Sequence, residues 1–139
     1  MEQQIVVTQW ALDSYLDMKH AKAFSPTDYR EIIRPDVKLL ETYPASPKFA
    51  NGKFWSQATQ DNNRLPNGYK MKWHNLGEQR VQLRLTVGLG FDKELSDTAL
   101  LCHAYVKTDP KFEYRQLLRF KTRLELIRKR EYIERGRLT

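Results

Sequence analysis

Residues 67–85, "NGYKMKWHNLGEQRVQLRL", decide the fold. Tyr69, Met71 and Trp73 alternate with Lys70, Lys72 and His74, and after a short interruption Val81, Leu83 and Leu85 alternate with Gln82 and Arg84. A period of two is the mark of a strand with one buried face. "NLGE" between the two runs reads as a hairpin turn, so the stretch predicts an antiparallel pair with its apolar set on one side. The same pairing gathers Lys70, Lys72, His74, Gln82 and Arg84 on the opposite side, with Arg80 at the turn.

Working outward, a third strand is predicted from about Ala99 to Val106, and its alternation can add His103, Tyr105 or Lys107 to the basic side. Upstream, "IVVTQWAL" predicts a strand over about 5–10, followed by a short helix through Leu12, Tyr15 and Leu16. Ser25, Pro26 and Asp28 form a helix start with a capping-box acid, and Tyr29, Ile32, Ile33, Val37 and Leu40 continue it as an apolar stripe in a helix that Pro35 should kink or split in two. Asp109-Pro110 is a second start, for a final helix expected to reach about Arg135 with Leu117, Phe120, Leu124 and Ile127 as its core stripe.

Residues 44–66, with Pro44, Pro47, Gly52 and Pro66, read as a long loop anchored by Phe49, Phe54 and Trp55. The expected order is therefore β-α-α-β-β-β-α. It implies a single α+β domain over residues 1–139, a mostly antiparallel sheet packed against helices on one face.

The chain has 24 Lys and Arg against 17 Asp and Glu, a net charge of +7, and from Pro110 onward the basic residues outnumber the acidic ten to four. Such a surplus favours an acidic partner without choosing among nucleic acid, membrane surface and acidic protein. No apolar run is long enough for a membrane span and no signal sequence opens the chain, so a cytoplasmic, soluble protein is expected. The single Cys102 lies in the apolar run "ALLCHAYV" and reads as a small hydrophobe, which leaves no disulfide framework or cysteine zinc site. "GLGFDK" lacks the third glycine of a dinucleotide loop, and Asp92, Glu94 and Asp97 read as a solvated turn. His20 has the place of a cation at a helix C-terminus and no further role.

A face that carries Lys70, Lys72, His74 and Arg84 suits RNA. Cations neutralise phosphates, and Arg and aromatic side chains stack on unpaired bases. It also suits cleavage of RNA by the adjacent 2′-hydroxyl, which needs a base, an acid for the leaving oxygen and cations for the charge that develops on phosphorus. A lysine crowded by like charge loses its proton more readily and can then serve as a base. The plain alternative is a solvated sheet face with ordinary surface lysines.

"NGYKMKWHNLGEQRVQLRL" resembles the central hairpin of the RelE/HigB group of bacterial toxins, in which a Tyr-Lys-apolar-Lys stretch precedes a turn and an Arg-bearing strand. "LLCHAYVKTDPKFEYRQLLRFKTRL" is similar to the last strand and helix of the HigB-like branch. The resemblance implies a RelE-like toxin domain acting as a ribosome-dependent mRNA interferase. Such an enzyme is an endoribonuclease that uses neither metal nor cofactor, cuts mRNA on the ribosome, inhibits translation and is held inactive by a cognate antitoxin protein. Carried over by residue, Lys70 and Lys72 match two strand lysines with general-base and charge-stabilising roles, and Arg80 or Arg84 matches an arginine that stabilises the transition state. Tyr114 matches a tyrosine that stacks on or orients substrate, while His103, which reads equally as a satisfied structural histidine, and Lys107 stand as further substrate-binding candidates. His74 departs from the Arg of related sequences, and the acid stays open between His74 and His103. Partners would be the antitoxin, mRNA and ribosomal RNA, with no membrane. Two rivals remain: a ParE-like gyrase inhibitor of the same superfamily, and a non-catalytic nucleic-acid or protein-binding module.

Overall fold

The computed structural model describes residues 2–139. Strand β1 (Gln4–Thr8) stops two residues before the predicted end, because the Thr8 hydroxyl accepts from the Ala11 amide and starts helix α1 (Gln9–His20). The Ser25 capping box is present and opens α2 (Pro26–Asp28). The kink expected at Pro35 takes the form of a π turn over Tyr29–Ile33, in which the Arg34 amide reaches back to the Tyr29 carbonyl, before α3 (Arg34–Lys38) resumes. Proline lacks the amide of a normal helical ladder, and a widened turn beside it relieves the mismatch.

The segment read as a long loop holds a 3₁₀ turn (Pro47–Ala50) and a whole strand, β2 (Trp55–Gln60), paired with β3 (Asn63–Leu76). Asp61 and Asn62 form the two-residue connection, both at positive φ (53° and 65°), the geometry that suits a tight hairpin. Pro66, which marked the segment as irregular, sits opposite the break in the ladder between Gln57 and Thr59, where its missing amide is tolerated. Strands β4 (Val81–Gly88) and β5 (Thr98–Val106) continue the antiparallel run, and β1 pairs with β5 in parallel.

Helix α4 (Pro110–Arg128) ends earlier than the expected Arg135. Beyond Ile127 the apolar stripe runs out; Arg130 turns to positive φ (60°) with its guanidinium on Asp92, and the chain returns as β6 (Glu134–Arg137) along the free edge of β1. The sheet order is β2-β3-β4-β5-β1-β6, so the α+β class stands while two strands, β2 and β6, are added to the expected sequence of elements.

The expectation that helices cover one face is corrected. Helix α1 and the 26–38 segment pack on the side of Ile5, Met71, Trp73, Leu83, Leu85 and Leu101, whereas α4 packs on the side of Val6, Leu100 and Cys102 through Leu117, Phe120, Leu124 and Ile127. The cause lies in β1 and β5, which are apolar on both sides and cannot leave either to water. Cys102 is buried as expected, and burial pushes its thiol up to about 12. A close approach at Gly68 seats α4 on β3: a Cβ there would lie 2.8 Å from Leu124 Cδ1 and 2.9 Å from Phe120. Among the described residues no helix is long and apolar enough to cross a membrane.

Candidate active site

The register of the sheet turns the alternating cations into two rows on the α4 side. One row runs Ser56, Lys70, Thr86, His103; the next carries Lys72, Arg84 and Tyr105. Helix α4 crosses above them. Its N-cap Asp109 accepts from the Phe112 amide at 2.8 Å and so fixes the first turn, which brings Glu113 over the second row and Gln116 over the first.

Glu113 is the centre of the arrangement. Its Oε2 accepts from the Tyr105 hydroxyl at 2.7 Å and lies 3.7 Å from Lys70 Nζ, while Oε1 lies 3.7 Å from Lys107 Nζ. Burial pushes the carboxyl up, but the Tyr105 hydroxyl, Lys70, Lys107 and Arg84 outweigh it and hold the group below its usual value. Tyr105 is driven well above the ordinary phenol value, first by burial and then by donating to that carboxylate.

Lys72 is fixed from the other side. Its ammonium donates to the Gly52 carbonyl and, at 2.9 Å, to Ser56 Oγ. Burial lowers its pKa, and Lys70, Arg84 and Lys107 lower it further against the opposing pull of Glu113. Lys70 is lowered likewise, by burial first and then by Arg84 and Lys107, although Glu113 favours its charged form. Arg84 is 5% exposed and gives one nitrogen to the carbonyls of Trp73 and Leu83 at 3.2 and 3.1 Å. It is a fixed charge beneath the lysines.

The cluster therefore sets Lys70 and Lys107 3.7 Å from one carboxylate, with Lys72 and Arg84 opposite each other in the adjoining sheet row, on the part of the face beside the start of α4. Such a surplus of fixed positive charge beside a half-buried carboxylate can hold an oxyanion and move a proton.

The other sequence candidates fall elsewhere. His74 and Arg80 lie at the turn end of the hairpin: His74 Nε2 meets the Lys53 carbonyl, and Arg80 is an exposed turn residue at positive φ (52°). Neither shares a hydrogen bond or ion pair with Lys70, Lys72 or Glu113. His103 is 3% exposed beneath α4, with Nδ1 3.1 Å from the Thr86 hydroxyl and Nε2 3.2 Å from Gln116 Oε1. Burial, reinforced by Arg123, pulls it down to about 3, so at neutral pH it is an uncharged internal group. Tyr114 faces outward from α4, its hydroxyl 3.3 Å from Asp61 Oδ2 in the β2–β3 turn.

Glu113 and the Ser56 anchor were not singled out from the sequence. A signal for Glu113 was available: once Asp109 is the cap, Glu113 falls in the first turn of the helix that follows the strand carrying Tyr105. No protein-family model matches the chain, and no curated protein sequence matches it.

Proposed function

We propose that this chain is a toxin of the RelE/HigB type, an mRNA endoribonuclease that works on the ribosome without a metal and is held inactive by a cognate antitoxin. The observation that carries the reading is the pairing of Lys70 and Lys107 with Glu113 at the start of α4, beside Lys72 and Arg84 of the hairpin whose sequence resembles that group. The cations supply what a phosphodiester needs as its equatorial oxygens gain charge. Lys70 and Lys107 face the entering phosphate; Lys72, whose ammonium is held by Ser56 and Gly52, is placed to hold charge or pass a proton to the departing 5′ oxygen; Arg84 supports both from below. The exposed cations Lys111, Arg115, Arg119 and Lys121 extend the positive surface along α4, which favours a large RNA partner.

The test is induction of the wild type and of a Lys70→Ala/Lys72→Ala double variant in bacteria, with mRNA 5′ ends mapped across a well-translated transcript. New 5′-hydroxyl ends inside translated codons, together with growth arrest, are expected for the wild type and not for the variant. Arrest without new ends would move the target to gyrase, and neither effect would leave a binding module.

A further inference from the structure

We propose that the Glu113 carboxylate is the base that removes the proton from the attacking 2′-hydroxyl, an assignment that rests on the ribonuclease reading above. Each strand lysine already has a partner, one as a hydrogen-bond donor and the other in an ion pair. Lys72 gives protons to two acceptors, and Lys70 stands 3.7 Å from a carboxylate that favours its ammonium form. An ammonium has no lone pair with which to accept a proton. Glu113 is the one anion within the cluster, and it is half-buried rather than solvated. Among the described residues its Oε1 receives no hydrogen bond, since Lys107 stands 3.7 Å away, so lone pairs remain open toward the surface. The Tyr105 hydroxyl on Oε2 fixes the carboxylate in one orientation.

The step balances. The 2′-oxygen bonds to phosphorus as its proton passes to Glu113 Oε1, the bond from phosphorus to the 5′ oxygen breaks, and the Lys72 ammonium protonates that oxygen. The products are a 2′,3′-cyclic phosphate and a 5′-hydroxyl. Proton return from Glu113 to Lys72 through solvent resets the site.

The experiment measures single-turnover cleavage of mRNA on programmed bacterial ribosomes by the wild type, Glu113→Gln and Glu113→Ala, and separately their binding to the same ribosomes. Circular dichroism checks that each variant is folded. Both variants are expected to cleave roughly 10²–10⁴-fold more slowly, the usual size of a lost acid–base group. Binding should stay within about threefold of wild type or tighten, because a negative charge has left a phosphate site. Added formate, which fits the space of the missing carboxylate, should restore cleavage by Glu113→Ala in proportion to its concentration. Cleavage by Glu113→Gln within about tenfold of wild type, or a loss that formate does not restore, overturns the assignment and leaves the ribonuclease reading standing. A wild type that does not cut overturns both.

Discussion

Tyr105 and Glu113 are joined by a 2.7 Å hydrogen bond from the last strand of the meander to the first turn of the helix that follows it. The bond crosses the junction where the chain leaves the sheet, so it ties the direction of α4 to the two rows of polar side chains beneath. Removing it by Tyr105→Phe should cost about 1.5–3 kcal/mol in urea unfolding at pH 7, the usual net worth of a hydrogen bond to a charged group.

The same pair gives a pH dependence with a defined sign. The Glu113 pKa is lower in the folded protein than in the unfolded chain, so its stabilisation is present above the unfolded value and is lost as pH falls through the folded one. Thermal melts from pH 7 down to pH 3 should show a falling midpoint. The decline should be shallower for Glu113→Gln.

His103 acts over a higher window. The unfolded chain protonates this histidine near pH 6.5, whereas the folded protein keeps it neutral down to about 3. Stability should therefore drop as pH falls below about 6.5, by up to several kcal/mol on the linkage arithmetic. Denaturant midpoints at pH 7 and pH 5 should differ for the wild type and converge for His103→Gln. The imidazole resonances of His103 should not titrate between pH 5 and 8.

Exchanging Lys72 for Arg preserves charge and discards the ready transfer of a proton, since a guanidinium does not deprotonate. If the chain is the ribonuclease proposed above, Lys72→Arg should bind programmed ribosomes within about threefold of wild type and cleave at least roughly tenfold more slowly. Equal cleavage by the two would mean that Lys72 serves through charge alone.

Gly68→Ala tests the seat of α4. The new Cβ meets Leu124 and Phe120 at under 3 Å, and both belong to the packed core on that side. Overpacking of this kind costs about 1–3 kcal/mol. Because α4 also carries Glu113, the cleavage proposed above, measured well below the melting temperature, should fall as well.

The parts of the site that obey a period of two were legible: Lys70, Lys72 and Arg84 had to share a face once Met71, Trp73, Leu83 and Leu85 were assigned to the other. Register was not, because alternation alone does not say that Lys72 stands opposite Arg84 or that Ser56 stands opposite Lys70. Strand β2 escaped notice because Pro66 and the run Gln60–Arg64 carry loop chemistry, and its pairing depends on a ladder that forms only when β3 is in place. Strand β6, "ERGR", has no buried side chain; backbone pairing along β1 makes it, and no hydrophobic pattern announces such a strand. The placing of α4 on the second face had a trace in Leu100, Leu101 and Cys102, a continuous apolar run of the sort found in strands covered on both sides.

Lys72 is held at its ammonium by Ser56 and the Gly52 carbonyl before any substrate arrives. A lysine on open surface samples many rotamers, and immobilising such a side chain on binding costs about 0.5–1.5 kcal/mol. Here that ordering is completed when β2 folds against β3. The added hairpin thus acts as a stiffener, converting a floppy four-carbon arm into a preset positive point whose position an anionic ligand would not have to organise.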